Sequence, residues 1–388
     1  MNRIAFIIGD KFLYWNAIVL TLAILTAITM YWALAVRKPE DRRAAAVAIP
    51  VAFLFSLILS RLVHWYCRPQ GYENMFRALV DYSRGSFALI GAFAGCLLTA
   101  LLLRLFRVSR SLPRMLDEMA VAGSLGICVG RLAALFTTAD RGIPLPQWVP
   151  FPFAARLLNT VSGETEVRLA VFMFQSFIAG ILFISLLIFF LRGEKKNLRE
   201  GDTSLLFLLW YCGTQAVLDS PRYDSLYFRS NGFVSIVQIF GILTVLFILI
   251  LFTVRMLKAG RWKKIWMTFL AIPLLGGAGY MEYHVQRHGS QALFAYSVMS
   301  VCMLLAMILI QAIRRQGLNR AVRKVQAGYP DYQNRPVYRD PACFYGNQPR
   351  DLSGNPAQGY PAGEKRAPQK RNTSGKSGRY QGKFAAKK

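Results

Sequence analysis

Charged side chains are scarce in this 388-residue chain, at 17%, and acids are scarcest: 20 Asp and Glu stand against 47 Lys and Arg. There are three histidines (His64, His284, His288) and six scattered cysteines (Cys67, Cys96, Cys128, Cys212, Cys302, Cys343), with no C-x-x-C and no Cys–His pairing. A metal centre or disulfide framework is therefore not expected, nor is any cofactor. His284 and His288 have the i, i+4 spacing of two ligands on one helix face, but their position reads as a solvated helix end. No small-residue cleavage site follows the first apolar stretch, so that stretch is expected to stay as a span rather than serve as a leader. Internal repeats and paired interrupted helices are missing too, which argues against a transporter.

What the chain has is apolar length. Hydrophobic residues make up 54% and come in blocks near the ~20 residues that a helix needs to cross a bilayer. Nine such blocks are predicted, at 16–36, 44–63, 87–103, 119–136, 169–191, 204–218, 234–254, 265–281 and 291–313. The sixth is short, and glycines at 276, 277 and 279 interrupt the eighth. The fold expected is an all-α polytopic bundle: seven helices over 1–255, a helix pair over 256–313, and a basic tail over 314–388. The tail is rich in Pro, Gly, Tyr and Lys/Arg and is expected to be disordered.

A net charge of +27 would suggest nucleic acid in a soluble protein. Topology explains it better. With the amino terminus outside, the cytoplasmic segments hold 34 of the 47 Lys and Arg and the outer segments hold 11, as the positive-inside rule requires. The tail would then lie beside anionic inner-leaflet lipid, and no specific nucleic-acid partner is expected.

Ionisable groups within spans usually face a bundle interior or a wet cavity. Helix direction places Arg61, Arg131, Gln175, Gln215 and Asp219 at one depth, near the outer leaflet, with Arg222 just beyond and Gln238 on the next helix. Gln215 and Asp219 share a helix face. Two arginines with few acids would make a cationic cavity suited to a lipid phosphate.

These residues also carry a resemblance. Tyr14-Trp15 opens the first span, and Ser60-Arg61-Leu62-Val63-His64-Trp65-Tyr66 closes the second. Gly85-Ser86-Phe87 opens the third, with Gly91 and Gly95 following. Gly130-Arg131-Leu132 precedes Gly142, and Tyr211-x3-Gln215-x3-Asp219-x2-Arg222 precedes Gly232-Phe233-Val234 and Gln238. Over roughly residues 12–255 the chain resembles prolipoprotein diacylglyceryl transferase. That bacterial plasma-membrane enzyme moves diacylglyceryl from phosphatidylglycerol onto the lipobox cysteine of a prolipoprotein. The resemblance implies phosphatidylglycerol and prolipoprotein signal peptides as partners.

The chain departs from the family pattern at several points. No His lies between Ser86 and Gly91 where the family has one. Ala134 stands for an Asn, Ala139 for a Glu (with Asp140 one position off), Gln215 for the second Arg, and Phe174-Gln175 for a Tyr-Glu. By resemblance, Arg131 would hold the phosphate, supported by Arg61 and Arg222 and lined by Gln215, Gln175, Tyr211 and Gly142. Asp219 or Asp140 would act as base, assisted by His64. The other reading is a lipid-binding or scaffold homologue that has lost catalysis.

Overall fold

The computed structural model describes residues 4–328 except 9–10, 39–40, 81–86, 110, 159–163, 196–198, 229–230 and 289–290; residues 329–388 lie outside the described residues, and most of the expected tail with them. The described chain is helical: α1 (Trp15–Ala35), α2 (Arg42–Cys67), α3 (Met75–Val80), α4 (Leu89–Leu105), α5 (Leu112–Arg131), α6 (Val171–Lys195), α7 (Asp202–Leu218), α8 (Ile236–Lys258), α9 (Trp266–His288) and α10 (Ala292–Gly328). All except α3 fall on the nine predicted blocks. Helix α10 runs on past residue 313, where the tail was expected to begin.

Six of these helices are long and apolar enough to cross a membrane, and Leu89–Leu105 is a shorter apolar one. Helices α7 and α9 fall short of that criterion, as their sequences foretell. Ten of the 17 residues of α7 are buried. It faces protein rather than lipid and so tolerates polar side chains. Helix α9 carries Pro273 and the three glycines.

Three antiparallel hairpins lie outside the helices: β1 (Ile4–Ile8) with β2 (Lys11–Tyr14) ahead of α1, β3 (Ala154–Leu158) with β4 (Thr165–Leu169) between α5 and α6, and β5 (Tyr227–Phe228) with β6 (Asn231–Ser235) between α7 and α8.

Small residues let the helix backbones approach, the usual device where lipid supplies no hydrophobic driving force. A Cβ at Gly91 would lie 2.3 Å from the Leu59 carbonyl oxygen, and one at Gly95 would lie 2.4 Å from the Ser56 nitrogen. Ser60 Oγ donates to Ala88 O at 2.9 Å across the same α2–α4 seam. The added helix pair is packed into the bundle. Met299, Met303, Met307, Ile310 and Ile313 of α10 join Leu209, Ile248, Phe252 and Met256 in one core. Met307 fills the space left by Gly213, where a Cβ would be 2.3 Å from its sulfur.

Buried charges lock the end of the bundle where α7 begins. Asp202 pairs with Arg255 of α8 at 2.9 Å and Arg314 of α10 at 3.1 Å. Asp117 accepts from the backbone N–H groups of Gly201 and Ser204, at 2.7 Å each. It thereby satisfies donors that the first turn of α7 leaves open.

Candidate lipid-binding site

At the opposite end, α5 and α7 finish while α6 and α8 begin, so four helix ends converge. Arg131 is the last residue of α5, where the helix tightens into a 3-10 turn over Leu132–Phe136. The chain then reverses through Asp140, held at φ 55°, a conformation that costs most residues about 1–2 kcal/mol but that Asp tolerates. Gly142 N donates to Leu169 O at 2.8 Å, tying the turn to β4. A Cβ at Gly142 would meet Leu169 Cβ and Val171 Cγ2, both at 3.0 Å. The glycine thus suits a tightly packed turn, where a larger residue would push on both side chains.

The turn sets one carboxylate between two guanidinium groups. Asp140 Oδ2 accepts from Arg131 Nη1 at 3.0 Å, and its Oδ1 lies 2.6 Å from Arg222 Nη2. Arg222 also pairs with Asp219 at 2.9 Å and with Asp224 at 3.0 Å. Asp224 Oδ2 accepts in turn from the Asp140 N–H at 3.0 Å. Arg131 Nη2 reaches the Tyr211 hydroxyl at 3.5 Å. Five expected site residues therefore form one network: Arg131, Asp140, Tyr211, Asp219 and Arg222.

Burial alone would push the Asp140 carboxyl up, but Arg131 and Arg222 outweigh it and hold it below the ordinary carboxylate value. Burial opposes the charge on Arg222 too, yet the three carboxylates hold this guanidinium above its usual value. The charge balance accordingly differs from the sequence expectation. Arg131 and Arg222 are charge-paired, because the loops after α5 and α7 bring in acids that no span contains.

Below this network, Gln175 of α6 donates to Gln215 of α7 at 2.9 Å, and both are buried. Among the described residues, Gln175 Oε1, Gln215 Nε2 and Asp219 Oδ2 are buried without hydrogen-bond partners. Polar atoms left unsatisfied in a buried setting are costly and uncommon. Gln238 serves structure instead: it completes a capping box with Ser235 at the start of α8 and donates to Ala216 O at 3.3 Å.

Arg61 and His64 are held in a different neighbourhood. Arg61 is 2% exposed; its Nε donates to Ala78 O at 3.0 Å, and its guanidinium lies against the rings of Tyr72 and Phe87. His64 packs edge-on to Tyr72, and its Nδ1 has no hydrogen-bond partner among the described residues. Gly85 and Ser86 of the third-span motif lie outside the described residues.

Asp224 and Arg141 escaped the sequence reading. Asp224 follows Arg222 by two residues, a local acid–base spacing that could have pointed to it. Arg141 offered no such signal.

Fold and site together define a multi-pass helical membrane protein with a buried polar network built where helices end. The family model for prolipoprotein diacylglyceryl transferase matches residues 3–254, and the chain belongs to that family. It is similar to the phosphatidylglycerol–prolipoprotein diacylglyceryl transferase of Parasynechococcus marenigrum, 26% identical over 227 residues, covering 58% of this chain and 81% of the relative. The enzymes of the same name from Streptococcus equi subsp. zooepidemicus and Lactobacillus delbrueckii subsp. bulgaricus are each 24% identical. They match over 251 residues (64% and 94%) and 279 residues (66% and 92%), respectively. The match ends near the close of α8 and leaves α9 and α10 outside it.

Proposed function

We propose that this chain transfers the diacylglyceryl group of phosphatidylglycerol to the lipobox cysteine of prolipoproteins in the bacterial plasma membrane. Family membership carries this reading, and the Arg131–Asp140–Arg222–Asp219 network supports it by offering fixed charges in a water-poor site. In the reaction the cysteine sulfur forms a bond to the diacylglyceryl carbon while that carbon's bond to the phosphate oxygen breaks. The thiol gives up its proton to a base, and glycerol phosphate leaves with the electron pair.

We assign the base to Asp219, which is buried with Oδ2 open, rather than to Asp140, whose two oxygens are engaged. A base must reach the proton that it takes. Arg131 and Arg222 stabilise the phosphate charge. Tyr211 orients Arg131, and the Gln175–Gln215 pair lines the floor below. Gly142 holds the turn that carries Asp140. We assign Arg61, bonded to α3 through Ala78 O, and His64 to the side from which the lipid or the signal peptide approaches. The amino terminus lies outside and the basic carboxy-terminal segment lies against the anionic inner leaflet, which puts the site near the outer leaflet; tag accessibility in intact cells checks both ends.

Purified protein given labelled phosphatidylglycerol and a lipobox peptide tests the reading. We expect label on the peptide, lost in Arg131→Ala. Lipid binding without transfer by the intact protein would instead make it a non-catalytic lipid-binding homologue.

A further inference from the structure

Arg141 sits inside the turn that closes the site. Its backbone is fixed on both sides: its carbonyl accepts from Tyr223 N at 3.2 Å, and Gly142 N donates to Leu169 O at 2.8 Å. The side chain is folded inward, 5% exposed. Nη2 donates to Ala134 O at 3.3 Å and Thr137 O at 3.1 Å, and the guanidinium carbon lies 4.8 Å from the centre of the Phe172 ring.

Those contacts use one nitrogen and one face. Among the described residues, Nε and Nη1 are buried with no hydrogen-bond partner, and no carboxylate forms an ion pair with Arg141. Its neighbours differ, since Arg131 and Arg222 both spend donors on Asp140. Burial pushes the Arg141 guanidinium below its ordinary value, and Tyr223 and Asp140 offset this only partly. A buried cation with open N–H groups is costly unless an anion completes it. Capping the two carbonyls and stacking on Phe172 leave that requirement unmet.

We propose that Arg141 is a phosphate ligand of this site, donating from Nε and Nη1 to phosphoryl oxygens of the lipid headgroup and of the glycerol phosphate that departs. The assignment rests on the phosphatidylglycerol reading above. Both nitrogens are covered, so the contact requires the Arg141 side chain to be uncovered when lipid enters.

Binding to the purified full chain tests it with three probes: dioctanoyl phosphatidylglycerol, glycerol phosphate, and dioctanoylglycerol, which lacks the phosphate. Arg141→Gln is expected to weaken the phosphate-bearing probes about 10- to 100-fold, the range for hydrogen bonds to a charged group, and to leave dioctanoylglycerol unchanged. Loss for the lipid alone assigns the contact to the intact phosphodiester, and loss for glycerol phosphate alone assigns it to the leaving group. Arg141→Lys keeps the charge and one cap should Arg141→Gln not fold, and it is expected to weaken the same probes. Unchanged phosphate binding in the folded variants, with Arg131→Ala still impaired, overturns the role of Arg141 and spares the wider reading. Equal weakening of dioctanoylglycerol also overturns it, because that marks a structural role. Failure of the unaltered protein to bind dioctanoyl phosphatidylglycerol overturns both.

Discussion

Arg222 and Asp140 meet at 2.6 Å although 82 positions separate them, and this contact joins the loop after α7 to the turn after α5. Arg222 bonds three carboxylates at once. Arg222→Ala therefore leaves Asp140, Asp219 and Asp224 short of a cation in a buried setting. Removing one partner of a buried pair costs about 3–5 kcal/mol. Thermal unfolding in detergent should show a large drop, and an unchanged midpoint would mean that the network is not structural.

The Asp140 carboxyl is held below its ordinary value, so its pairing stabilises the fold fully above the unfolded value of about 3.9. That stability is lost as pH falls through the lower folded value. Native protein should thus out-melt Asp140→Asn by a constant margin from neutral pH down to about 4, with the margin closing only in stronger acid. A margin already shrinking between pH 6 and 5 would contradict this.

At the α2–α4 seam, Gly95→Val would drive a side chain into the Ser56 backbone, where even a Cβ stands 2.4 Å from the nitrogen. Overpacking of this kind costs about 1–3 kcal/mol, and backbone cannot step aside as a flexible side chain would. Reduced thermal stability is expected. Gly123→Ala, where nothing lies within 4 Å, serves as the harmless control.

Gln175 and Gln215 form an isolated buried pair. Gln175→Leu or Gln215→Leu alone should cost about 1–3 kcal/mol, because each strands the other amide. The double variant should recover much of that loss. Additive losses in a double-mutant cycle would show that the pair does not interact.

The helix pair outside the family match is tied in by Asp202, 2% exposed between Arg255 and Arg314. Asp202→Asn removes the partner of two cations, whereas Arg314→Ala leaves Asp202 with Arg255. Asp202→Asn should therefore be the more destabilising in a thermal melt. The reverse order would mean that Arg314 holds α10 by packing on Phe189 rather than by charge.

Much of the frame was legible in the linear chain. Apolar blocks of spanning length can do little but form helices in lipid, since every backbone polar group must be satisfied internally. The nine predicted stretches accordingly fall on nine helices. The spacing of Gln215, Asp219 and Arg222 likewise foretold one shared helix end. Loops carry no such periodicity, so the β3–β4 hairpin and the reversal at Asp140 had no signature.

By itself the sequence determined the membrane-spanning helical class, the places of its helices, and the arginines and acids gathered at α5 and α7. Only the tertiary structure decided their partners. It closed Asp140 onto Arg131 and Arg222, sent Arg61 to the ring faces of Tyr72 and Phe87, and left Arg141 buried with open nitrogens. The physical reason is range: hydrophobic length acts along the chain, whereas charge pairing is settled by which loops the packed helices bring within about 3 Å.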